Sequence, residues 1–212
     1  MHIEPGILDS GKLALATGGA LVLAAACLPR LWRRPMLLPR IVLAATFFTL
    51  CMEIFHLEVG ASELHFIGAM PMYLAFGLLP TLCAFALGLL VQGLLFDPAD
   101  LAHLAVNTLS LAVPLLAVHG LLGRRVRRVA VADVLRLDAM YYAGVTLMVG
   151  FWLSQAEVAT PLADWLRFAA SYAAVVAVEP VLTIAMLGGV ARLRGHRGAQ
   201  LCFSGRVRLA EG

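Results

Sequence analysis

Charge is scarce in this chain: Asp, Glu, Lys and Arg make up 14% of its 212 residues, and aromatic side chains 8%. A soluble domain carries about 25% charged and roughly 45–50% apolar residues. Here 61% are hydrophobic and the mean hydropathy is +0.89. That shortage excludes an ordinary soluble domain and puts most of the chain in lipid. Period-2 alternation is also missing, which excludes a transmembrane barrel. The cysteines (27, 51, 83 and 202) are widely spaced and form no CxxC, so no disulfide framework is indicated and they read as small buried apolar residues. No GxxxxGK[ST], HExxH or CxxCH occurs, which argues against an ATPase, a metalloprotease or a haem oxidoreductase. The net charge of +3 comes from short basic clusters between apolar runs, so no nucleic-acid partner is expected.

What the chain does have is long apolar runs, at about 11–28, 37–57, 66–78, 80–96, 101–122, 137–154 and 164–190. An 18-residue helix covers roughly 27 Å, close to the hydrocarbon thickness. Region 66–96 reads either as one long helix or as two short ones broken at "FGLLP", where Gly77 and Pro80 interrupt the ladder. Charge decides between them, because cytoplasmic loops collect Lys and Arg. Basic residues cluster at 30–40, 124–136 and 192–208, fourteen of the sixteen in the chain. Two crossings in 66–96 put all three clusters on one side. The expected fold is therefore all-α: a polytopic membrane helical bundle of about seven transmembrane helices, N-terminus outside and C-terminus cytoplasmic. Its third and fourth crossings are short, and they either tilt or span only in part beneath protein cover. Residues 1–194 form one transmembrane domain with an N-terminal arm over 1–10, and 195–212 form a polar cytoplasmic tail. Such a chain is expected to be a multi-pass membrane protein.

With this orientation His2, His56, His65 and His103 fall at the outer end. So do Glu4, Asp9, Glu58, Glu63, Asp97, Asp100, Glu157 and Asp164. An acidic mouth concentrates cations. The start, "MHIEPG", lacks the basic residues of a signal peptide, so Met1 and His2 are read as working residues. The terminal amine, the amide nitrogen of His2 and its imidazole can close fused chelate rings in one plane. A fourth nitrogen from elsewhere would complete a square suited to Ni(II) or Cu(II), and imidazole also serves cobalt and zinc. Pro5-Gly6 lets the arm turn back towards the bundle.

The arm does not stand alone. "MHIEPG", "GASELHFIG" and "LLVQGLLF", with Asn107 eleven residues beyond the last, together resemble the substrate-capturing membrane (S) subunit of energy-coupling-factor nickel/cobalt ABC transporters. The resemblance covers the arm and about residues 55–114. It implies that Met1 ligates Ni²⁺ or Co²⁺ through its amine, His2 through its amide nitrogen and ring, and His65 through its ring. Gln92 and Asn107 match polar family positions that would orient the arm or His65, although in any bundle such residues also bond between helices. Ser110 stands where the family has a second Asn, and the histidine loop has one extra residue. His56, His103 and Glu53 are further candidates near the same end. The resemblance also implies a coupling transmembrane subunit and separate ATPase subunits as partners, with this chain acting as permease and not as enzyme.

Two features fall outside that pattern. Glu179, before Pro180 in the last run, is an ionisable group in lipid that needs a cavity or a partner. Ala16, Ala20 and Ala24 form a small-residue stripe, either a docking face for the coupling subunit or ordinary packing. Two other functions also compete. An S-type subunit for an organic vitamin would want an aromatic-lined pocket; a stand-alone metal sensor or buffer would need no ATPase. The chelate reading predicts that one residue added ahead of His2 abolishes metal retention, because it moves the amine and leaves the imidazole. Metal analysis of the purified protein checks this.

Overall fold

The computed structural model describes residues 8–59, 62–156, 161–193 and 195–210. Its helices are α1 (Ser10–Trp32), α2 (Leu38–Ile54), α3 (Ala69–Phe76), α4 (Leu78–Leu95), α5 (Leu104–Val118), α6 (Val131–Ser154), α7 (Leu162–Leu193) and α8 (Arg197–Cys202). A short hairpin, β1 (His56–Val59) with β2 (Ser62–His65), lies between α2 and α3. A two-residue parallel pair, β3 (Arg128–Val129) with β4 (Arg208–Leu209), joins the tail to the start of α6. Among the described residues, six helical segments are long and apolar enough to cross a membrane, one fewer than the seven crossings expected, and they make an all-helical bundle. The break expected at "FGLLP" falls at Gly77, whose φ of 94° is open to glycine and costly for other residues.

The third run differs from a full crossing. It yields α3, only eight residues long and so about 12 Å. Every residue of α3 is buried, and α2, α4, α6 and α7 pack around it. It is a half-length helix under protein cover, which is how a short apolar segment avoids exposing unpaired backbone to lipid. The fourth run, by contrast, forms a full-length α4 of 18 residues.

The three basic clusters do meet at one end. Arg40, at the start of α2, donates to the carbonyls of Gln200 and Leu201 at 2.8 and 2.9 Å. Arg206 donates to the carbonyls of Gly123 and Arg124 at 3.1 and 2.8 Å. The Ser204 N–H reaches the carbonyl of Ala75, near the end of α3, at 2.6 Å. The starts of α2, α4 and α6 and the ends of α5 and α7 therefore lie together. Their other termini, with the hairpin, lie at the far end. The tail read as a polar extension is in part built into the bundle, because β4 pairs with β3 and Val207 is buried.

Helix α1 sits apart, packed chiefly on α5. The alanine stripe divides: Ala16 is fully buried, with Leu8, Val106 and Trp152 in the same cluster. Ala20 and Ala24 line an apolar groove of about 630 Å³ between α1, α4 and α5. At the entry to α3, Gly68 has φ 63°, and a Cβ there would lie 2.7 Å from Phe47 Cε1 and 3.5 Å from Cys51 Sγ. Gly68→Ala is expected to destabilise the protein by about 1–3 kcal/mol, read from thermal unfolding in detergent.

Candidate functional site

The far end of the bundle is assembled from seven segments. α1 begins there, with Asp9 capping it: the Lys12 N–H donates to Oδ1 at 2.9 Å and Lys12 Nζ pairs with Oδ2 at 2.7 Å. The Lys12 side-chain hydrogen bond holds the Asp9 carboxyl below the usual carboxylate range. Leu8, the first described residue of the arm, is buried in one cluster with Ala16 of α1, Val106 of α5 and Trp152 of α6. Leu8 therefore sits beside the first turn of α5. The ends of α2, α4 and α6, the start of α7, the hairpin and the tight turn Pro98–His103 before α5 complete this end.

The stretch "GASELH", read from the sequence as a loop, contributes strand β2, paired antiparallel with β1. In the register His56 stands opposite His65, and Leu57 opposite Leu64. The alternation in "HLEV" and "SELH" was the available signal for these strands. His65 ends β2 and is buried. Its Nδ1 lies 3.1 Å from the carbonyl oxygen of Met52 in α2. A carbonyl has no proton to give, so Nδ1 carries the hydrogen, and in the neutral ring the lone pair falls on Nε2. A backbone carbonyl fixing the tautomer in this way prepares an imidazole to bind a metal through its other nitrogen. Only the folded chain brings Met52 to this position, and no sequence pattern marks it.

The remaining candidates gather at the same end but not all in one role. α2 and α4 cross where the Thr49 hydroxyl donates to the Gly88 carbonyl at 3.3 Å. The two helices run in parallel, so Gln92 lies about one turn beyond that crossing, level with Met52 and Glu53. Gln92 is buried, and its Oε1 has no donor among the described residues. Asn107 is buried in the first turn of α5, and His103 is buried as the residue before that helix. Glu53 is half-buried near the end of α2. Ser110 is committed elsewhere: its hydroxyl donates to the Val106 carbonyl at 2.9 Å and accepts the Trp152 indole N–H at 3.1 Å, tying α5 to α6. Met1 and His2 lie outside the described residues. Among the described residues no group of three or more His, Cys, Asp or Glu stands together as a metal cage.

A polytopic helical bundle with a buried histidine at one end, its ring fixed by a backbone carbonyl, is an arrangement suited to holding a cation at a membrane face. The family model described as the cobalt uptake substrate-specific transmembrane region, CbiM, matches residues 2–197, and the chain belongs to that family. It is thus a multi-pass membrane protein, the substrate-specific subunit of an energy-coupling-factor cobalt/nickel transporter, and cobalt is the substrate the family implies. Among curated proteins and among solved structures, none matches the chain. The Ser110 geometry predicts that Ser110→Ala, by leaving the buried Trp152 N–H unpaired, costs about 1–3 kcal/mol, measured by chemical unfolding in detergent.

Proposed function

We propose that the far end of the bundle is the outer face, and that this chain captures Co²⁺ or Ni²⁺ there beneath its N-terminal arm. The metal is the cargo. In this reading the terminal amine of Met1, the amide nitrogen and imidazole of His2, and Nε2 of His65 make a planar set of four nitrogens, a geometry that suits Ni(II) and is open to cobalt. The observation that carries the reading is His65, buried with its Nδ1 proton engaged by the Met52 carbonyl. Further support comes from the buried root of the arm at Leu8, beside Val106. Gln92 and Asn107, buried at the same end, would orient the arm or the His65 ring.

Orientation rests on the basic end. Arg30, Arg33, Arg34, Arg40, the 124–136 group and the 192–208 group gather opposite the hairpin, and such clusters mark the cytoplasmic face. The opposite end keeps Asp9, Asp97, Asp100 and Asp164, which would attract a cation from outside. Import requires a coupling transmembrane subunit and ATPase subunits, since this chain has no nucleotide-binding motif. The membrane in this reading is the bacterial inner membrane. Release is ligand exchange driven by a conformational change, with no covalent step.

His2→Ala and His65→Ala should each reduce metal retained on the purified protein from stoichiometric to background, whereas His196→Ala, at the basic end, should leave it unchanged. Near-normal metal content in His2→Ala would defeat the assignment. Metal uptake in cells with and without the ATPase subunits separates an importer from a buffer, because a buffer accumulates metal equally in both.

A further inference from the structure

The start of α3 poses an electrostatic problem that the capture site does not address. α3 begins inside the bundle, facing the middle of α7 (Leu162–Leu193). The first N–H groups of a helix have no partner within the helix, and they carry partial positive charge. In a membrane interior they need an acceptor. Glu179 supplies it: the Met70 N–H donates to Glu179 Oε1 at 2.8 Å. The other carboxyl oxygen, Oε2, accepts the hydroxyl of Tyr142 on α6. Glu179 is fully buried, so this one side chain holds α3 and α6 to α7.

A second buried acid lies beside it. Asp138 precedes Tyr142 by one helical turn and so shares its face of α6. Asp138 is fully buried, and neither of its oxygens has a hydrogen-bond donor among the described residues. Its carboxyl faces that of Glu179 within hydrogen-bonding reach. The other titratable groups turned towards the pair are Tyr141 and Tyr142 of α6, Tyr172 of α7 and Cys51 of α2. Tyr141 and Tyr172 bring further buried hydroxyls with no partner among the described residues. Among those residues, neither carboxyl has a cationic partner within ion-pairing distance.

Two facing carboxylates, buried with no cationic side chain among the described residues to offset them, repel each other too strongly for both to stay ionised. A contact between two carboxyls is a hydrogen bond only when one of them carries a proton. We propose that Asp138 and Glu179 hold a single shared proton, and that this pair is a proton-binding site locking the start of α3 to α6 and α7. Glu179 is the electron-rich partner, because it receives the Met70 and Tyr142 donors, and Asp138 donates the proton to it. Since α3 follows directly from the hairpin that carries His65, the pair acts as a positioning element for that histidine. Loss of the proton leaves two like charges facing each other and loosens the entry to α3.

The test is made on the full-length protein in detergent, without added metal, so its outcome is independent of the capture reading. Infrared spectroscopy at neutral pH should show a protonated-carboxyl stretch that exchanges slowly in heavy water. Asp138→Asn and Glu179→Gln should each abolish it, because either change leaves one carboxylate opposite an amide donor. The folded state keeps a proton that the unfolded chain releases, so wild-type stability should fall as pH rises, and both variants should flatten that dependence. Absence of the band from the wild type would overturn the proposal, even if neither variant folds. So would persistence of the band in both variants. A wild type without the band that is stabilised by sodium ions would overturn it in favour of a bound cation.

Discussion

Lipid offers no hydrogen bonds, so each backbone group in this bundle must find a partner within the protein. The most demanding case is α3, an eight-residue helix whose first turn opens inside the fold instead of at a polar interface. The bond from the Met70 N–H to Glu179 meets that demand and in doing so sets much of the architecture. It fixes where α3 begins, and hence how the chain descends from the hairpin through Gly68, whose left-handed conformation turns the backbone into the helix. α3 is then buried on every side, and the helices around it become walls for a central element.

The same constraint explains the division of labour between the two ends. At the basic end, arginines from distant stretches satisfy exposed carbonyls of the tail and of the α5 terminus. These contacts hold the tail in place and tolerate water. At the hairpin end, beneath the exposed acids, a set of polar groups is buried between helices: His65 on the Met52 carbonyl, Ser110 between Val106 and Trp152, and Thr49 on Gly88. A ring held by a backbone carbonyl has one orientation and one tautomer, so that end is pre-organised. Under the proposed capture of a metal at this end, donor atoms already in place would lose little freedom on binding.

Helix α1 stands in contrast to α3. It is attached chiefly to α5, with Ala16 buried at the hairpin end and Leu23 and Cys27 reaching the main core, and it leaves an apolar groove against α4. Small residues along α1 let it approach closely where it does pack. Leu8, just ahead of it, is buried at the better-packed half.

Membrane class, an all-helical bundle, the break at Gly77 and the clustering of arginines were legible in the sequence, because they follow from local quantities: apolar run length, glycine and proline placement, and basic residues counted between runs. That the third run is a buried half-length helix and the fourth a full-length one was not. The motifs "MHIEPG", "GASELHFIG" and "LLVQGLLF" were equally local and pointed to the family. Which faces meet is a different kind of fact. That His65 rests on Met52, that "SELH" is a strand, that Ser110 serves Trp152 and that Asp138 faces Glu179 all depend on segments far apart in sequence arriving side by side. Hydropathy treats every lipid-buried residue alike, and only the packing of one helix against another separates a structural polar group from one poised to bind.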